Sequence, residues 1–134
     1  EESEDYSQLM AESGLCPVFL VAPTTPESRI KSIVEHGKGF IYYVSREGVT
    51  GMQSKVSGNI SSMIDRIHQH TDLPIAVGFG ISNPDQAKAV AEMGDAIVVG
   101  SAIVNQIAEQ GKSDTLVPTV SHFVGSLAQA VKEV

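Results

Sequence analysis

"VGFGISN", residues 77–83, is the stretch whose reading decides the fold. Two glycines flank Phe79 at the end of the apolar run "PIAV" (74–77) and just before the polar, helix-opening "NPDQA" (83–87). The third strand reads as "LPIAVG" (73–78), followed by a glycine loop and an Asn-Pro helix start. Glycine weakens strands and helices alike, so two of them here call for either a tight turn or a ligand that comes close to the backbone.

The same unit recurs on both sides. Downstream, "NPDQAKAVAEMG" (83–94) reads as a helix with Asn83 as cap, Pro84 first inside and Gly94 beyond its end. "DAIVVG" (95–100) is the next strand, "SAIVNQIAEQG" (101–111) a short helix, and a closing helix is expected from about Pro118. Upstream, "SGNISSMIDRIHQH" (57–70) places Ile60, Met63, Ile64 and Ile67 on one helical side. "REGVTGMQSKV" (46–56) has breakers and no period and reads as a loop, while "GFIYYVS" (39–45) is strand-like. Before it, "TPESRIKSIVEHG" (25–37) is a helix with Thr25 as the expected cap, preceded by the apolar strand "PVFLVA" (17–22). "SEDYSQLMAESG" (3–14) opens the chain as a helix, with Ser3 as its expected cap.

Four short apolar strands separated by helices give the order βαβαβαβ. Strands apolar on both faces imply a parallel sheet covered by helices. No linker, repeat or low-complexity stretch divides the 134 residues, so residues 1–134 are expected to form a single α/β domain. Two architectures fit: a doubly wound sheet, or part of a (β/α)8 barrel, of which four strands would be half of about 250 residues.

Composition narrows the partners. A net charge of −7 with only nine Lys and Arg argues against nucleic acid. No apolar run is long enough to span a bilayer and no signal segment opens the chain, so a cytoplasmic protein with no membrane partner is expected. The single cysteine, Cys16, excludes an internal disulfide and reads as an inert thiol. His36, His68, His70 and His122 are scattered without ligand spacing, so no metal site is expected.

The loops after the third and fourth strands carry the strongest chemistry. "GFG" (78–80) and "GSA" (100–102) let backbone N–H groups approach an oxyanion, and the helix opening at Ser101 adds its positive end. Together they form a phosphate cradle that needs no Lys or Arg. It is neither a dinucleotide fingerprint, since Asn83 stands where that motif needs glycine, nor a Walker loop. "SREGVTG" (45–51) after the second strand is long enough for a lid, with Gly48 and Gly51 as hinges and Arg46 and Thr50 as polar contacts.

"FLVAPTTPESRI", "GFIYYVSREGVTG", "PIAVGFGISNPDQA" and "AIVVGSAIV" closely resemble the carboxy-terminal half of the tryptophan synthase alpha subunit family. The resemblance implies the (β/α)8 TIM barrel, here its second half. It also implies the cleavage of indole-3-glycerol phosphate to indole and glyceraldehyde 3-phosphate by a carbon–carbon lyase of tryptophan biosynthesis. Carried over, Gly51, Gly80, Gly100 and Ser101 hold the substrate phosphate. Tyr42 faces the substrate, Thr50 helps to order a catalytic carboxylate, and Val21, Phe79 and Val98 line the indole side with Tyr42. The implied partner is the tryptophan synthase beta subunit, in an alpha2-beta2 complex. Pyridoxal phosphate belongs to that subunit, and no cofactor is implied for this chain.

The family's catalytic glutamate and aspartate lie in its amino-terminal half, outside the matched motifs. Glu47, Asp85 and Asp95 do not fit those motifs, and Glu47 reads as a solvated loop charge. The expectation is therefore a chain with no catalytic residue of its own that binds phosphate better than it catalyses. A non-catalytic phosphate-binding or assembly module, and another phosphosugar-binding barrel enzyme, remain as alternatives.

Overall fold

A computed structural model describes residues 2–45 and 53–134, and side chains for 4–45 and 59–134. Its elements run α1 (Glu2–Glu12), β1 (Phe19–Val21), α2 (Glu27–His36), β2 (Ile41–Val44), α3 (Gln53–His68), β3 (Ile75–Gly78), α4 (Pro84–Ala91), β4 (Ala96–Val98), α5 (Ser101–Gln110) and α6 (Leu116–Val131). All strand pairings are parallel, and the sheet order is β1-β2-β3-β4.

That order separates the two architectures left open by the sequence. A doubly wound sheet reverses its strand order at a switch point, which puts helices on both faces. Here each strand is laid beside its predecessor in one direction, and right-handed crossovers then place the three connecting helices α2, α3 and α4 on the same side. Burial agrees. Val21, Ile41, Tyr43, Ile75 and Val77 share one face of the sheet and are at most 1% exposed. They form one core with Ile30 of α2, Ile60, Met63, Ile64 and Ile67 of α3, Ala87 and Val90 of α4, and Leu127 of α6. The opposite face carries Leu20, 59% exposed, exposed Ala96, and part-exposed Tyr42 and Val98 around a buried Ala76. One face on helices and one bare is the arrangement of an arc of a barrel wall.

Several boundaries differ from the sequence expectation. Thr25 does not cap α2. Its hydroxyl accepts from the Ala22 N–H at 2.9 Å, and its own N–H donates to the Ala22 carbonyl at 2.9 Å, so it closes a turn after β1. The N-cap is Pro26, in an extended conformation. Ser3 lies within α1. The helix α3 begins at Gln53, inside the stretch expected to be loop. The closing helix α6 begins at Leu116, which puts Pro118 in the first turn, where its missing N–H costs nothing.

Two polar ties brace the frame. Asp95, just before β4, accepts from the Ile75 N–H at 2.8 Å and donates its own N–H to the Ile75 carbonyl at 3.1 Å, joining the starts of β3 and β4. Glu27, opening α2, accepts from Arg66 at 3.1 Å and is hydrogen-bonded to His70, joining α2 to the end of α3. Those bonds, His70 first and Arg66 next, hold the Glu27 carboxyl below the ordinary carboxylate value.

Candidate functional site

The carboxyl ends of β2, β3 and β4 and the start of α5 enclose a cleft of about 320 Å³. Parallel strands place all their following loops at one end of the sheet, which is where such folds build sites. Tyr42, Phe79, Gly80, Val98, Gly100 and Ser101 all line this cleft, so the structure brings six of the residues singled out from sequence into one place.

Tyr42 and Tyr43 show how. Successive strand residues point to opposite faces. Tyr43 is buried in the core at 1% exposure, so Tyr42 faces the bare side and the cleft. Tyr42 lies over Gly78: a Cβ there would stand 2.6 Å from its Cε2 and its hydroxyl oxygen. The first glycine of "GFG" thus makes room for a side chain.

The second glycine differs. Gly80 has φ of 56°, in the left-handed region, and its exposed backbone meets nothing within 4 Å where a Cβ would stand. Its neighbours Phe79 and Ile81 are 3% and 2% exposed and anchor the loop in the protein. The loop therefore turns a bare stretch of backbone to the cleft between two buried side chains.

Across the cleft, α5 opens with Gly100 as N-cap and no side-chain cap hydrogen bond. By contrast, Asn83 caps α4, accepting from the Gln86 N–H at 3.0 Å. A helix N-terminus carries unsatisfied N–H groups and partial positive charge. At α4 the Asn83 side chain answers one of those groups. At α5 the first turn, with the Ser101 hydroxyl beside it, faces the cleft. No charged side chain lines the cleft among the described residues. What it offers an anion is backbone donors, one helix dipole and neutral side-chain donors such as the Ser101 hydroxyl.

Val21 is placed elsewhere. It is wholly buried, in register with Tyr43 on the helix-covered face, and does not line the cleft; it is a core residue. The lid stretch, with Arg46, Glu47, Gly48, Thr50 and Gly51, lies outside the described residues. Sequence reasoning passed over Ser45, Ser82 and Asn105, which also line the cleft. Asn105 could have been found, since it stands four residues after Ser101 on the same side of α5.

Known proteins share this fold. A family model for the tryptophan synthase alpha chain matches residues 1–132. The tryptophan synthase alpha chain of Opitutus terrae is 45% identical over 133 residues, covering 98% of this chain and 50% of that protein. The tryptophan synthase alpha chain of Thioalkalivibrio sulfidiphilus is 49% identical over 109 residues, 81% of this chain and 41% of its own length. In three dimensions, tryptophan synthase subunit alpha from Legionella pneumophila superposes with a TM-score of 0.81 at 30% identity, over 99% of this chain and 48% of that one. The chain thus spans about half the length of the curated relatives it matches. The bare-faced arc of four strands corresponds to part of a larger barrel. From the family match over nearly its whole length and from this shared architecture, the chain belongs to the tryptophan synthase alpha chain family.

Proposed function

We propose that this chain is the phosphate-holding part of a lyase that cleaves indole-3-glycerol phosphate to indole and glyceraldehyde 3-phosphate. The observation that carries this reading is the uncharged cleft wall, made of the exposed Gly80 backbone on one side and the Gly100–Ser101 helix start on the other. Backbone donors on two loops suit a phosphate monoester, whose three peripheral oxygens accept from several directions. Tyr42, Phe79 and Val98 give the same cleft an aromatic and aliphatic side that suits indole.

Cleavage requires a proton delivered to indole C3 and the glycerol hydroxyl proton removed as the carbon–carbon bond breaks. No carboxylate lines the cleft among the described residues. In this reading the chain binds and orients, and the acid–base groups come from outside those residues. A tryptophan synthase beta subunit would receive the indole, and pyridoxal phosphate chemistry would belong to that partner.

The test has two parts. Glycerol phosphate should raise the thermal midpoint of the wild-type protein, because ligand bound to the folded state stabilises it by RT ln(1 + [L]/Kd), roughly 1–3 kcal/mol near saturation. Indole release from indole-3-glycerol phosphate should appear once a family amino-terminal half is added. Absence of protection would overturn the phosphate site. Protection without indole release from a well-folded mixture would overturn the reaction.

A further inference from the structure

We propose that Gln86 is a positioning residue of this cleft, acting through Ser82 to fix where the Gly80 backbone faces a bound anion. The inference rests on the phosphate reading above and concerns a residue outside the cleft lining.

The segment after β3 is pinned at both ends. At its start, the Gly78 carbonyl accepts from the Ser45 N–H at 3.0 Å. At its far end, the Gln86 side-chain oxygen accepts from both the N–H of Ser82 at 2.9 Å and its hydroxyl at 3.0 Å. Between these anchors stand only Phe79 and Ile81, both buried, and Gly80, which is exposed. The first turn of α4 thus reaches back and holds the loop by one side chain.

The arrangement has two consequences. Ser82 lines the cleft, yet its N–H and hydroxyl are both turned to Gln86, which leaves Gly80 as the exposed backbone of this loop. Gly80 also sits in the left-handed region, where glycine has wide freedom, so its orientation depends on what holds its neighbours. Buried side chains fix one side of that orientation, and Gln86 fixes the other. Losing the clamp lets the loop sample other turns, and an anion must then select the competent one, which lowers apparent affinity by that fraction.

The residue's own cap supplies the control. Asn83 accepts from the Gln86 N–H, so Asn83→Ala weakens the same helix start while leaving the Gln86 side chain on Ser82. The substitution Gln86→Glu keeps a side-chain oxygen that can accept the same two bonds. The experiment titrates inorganic phosphate into the ¹⁵N-labelled protein and its variants, reading Kd from the Gly80 amide shift and hydrogen exchange at Ser82 in the free protein. Gln86→Ala should weaken phosphate binding about fivefold, as expected when the competent turn falls to about a fifth of the population, and speed Ser82 exchange. Gln86→Glu should recover to within about twofold of wild type, and Asn83→Ala should stay within that range, as a loss confined to the helix start requires. Unchanged phosphate affinity in Gln86→Ala, or equal losses in Asn83→Ala and Gln86→Ala, would overturn the positioning role. Failure of the wild type to bind phosphate would overturn the phosphate reading and the role with it. Ser82 exchange separates the two failures, because it reports the clamp with no ligand present.

Discussion

Tyr42 lies across Gly78 so closely that a single methyl group on the glycine would stand 2.6 Å from the ring's Cε2 and from its hydroxyl oxygen. The cleft and the sheet meet at this contact. The glycine is a strand residue with a buried backbone, and the tyrosine is half-buried on the bare face. Gly78→Ala should force the ring toward the cleft and cost about 1–2 kcal/mol, as overpacking does. In a Tyr42→Leu background the same substitution should cost less. Urea unfolding of the four proteins measures the coupling, and equal costs in both backgrounds would mean that the ring is not the obstacle.

Gly80 has the opposite character. There is space for a side chain, but the left-handed backbone disfavours one. Gly80→Val should destabilise by about 1–2 kcal/mol through backbone conformation. It should also remove the thermal protection given by phosphate, since its methyl groups would occupy the space before the loop. Retained protection in the variant would detach Gly80 from the anion site.

Ser101 opens an uncapped helix at the cleft. Ser101→Ala should weaken phosphate binding by about 1–2 kcal/mol, because one hydrogen bond to a charged group is lost while the backbone donor stays. Ser101→Asp should weaken it further by placing negative charge beside the anion. Calorimetric titration orders the three proteins, and an Asp variant that binds as well as wild type would refute the helix-end argument.

Glu27 makes stability depend on acidity. Its folded-state pKa lies below the ordinary value of 4.5, through hydrogen bonds from His70 and Arg66. A lowered carboxylate pKa stabilises the fold above the unfolded value, and that contribution is lost as pH falls through the folded value. Wild type should therefore exceed Glu27→Gln in stability at neutral pH, with the gap closing below about pH 4.5. Half exposure keeps the effect small. A gap that widened on acidification would reverse the assignment.

The bare face has a consequence for behaviour in solution. In the described sheet β1 and β4 each pair on one side only, and Leu20 projects from the uncovered face. Unpaired strand edges and exposed apolar surface recruit other chains. The 134-residue chain alone should self-associate at micromolar concentration, as light scattering would show. A monodisperse monomer with cooperative unfolding would contradict this.

Much of this was legible in the sequence because its signals were local. Asn83-Pro84 fixed a helix start that the structure reproduces, and each expected strand contains an observed one. Gly80, Gly100 and Ser101 were identified by their place after apolar runs, and they meet in one cleft. The misplacements arose where a residue had two uses for one group. Thr25 looks like a cap from its neighbours, but its hydroxyl turns back to Ala22. Val21 ends an apolar strand, and only the pairing register shows that it shares Tyr43's face. The Gln86 clamp on Ser82 was invisible because a Gln four residues after a Ser is common on any helix.

The paired tyrosines of β2 carry one more implication, for how the strand finds its place. In "FIYYV" (40–44) every residue is apolar or aromatic, so a slip by one position would put a tyrosine in the core and another in the cleft just as the native alignment does. Side-chain pattern therefore gives β2 little proofreading. Alignment falls to the strand's ends, where the Ile41 N–H donates to the Pro74 carbonyl at 2.9 Å and the Ser45 N–H to the Gly78 carbonyl at 3.0 Å. Pro74 has no N–H of its own to offer a shifted neighbour, and Gly78 leaves space for the ring of Tyr42. The glycine that shapes the cleft would seat either tyrosine ring, so the bonds at the ends of β2, and not the ring, decide its alignment.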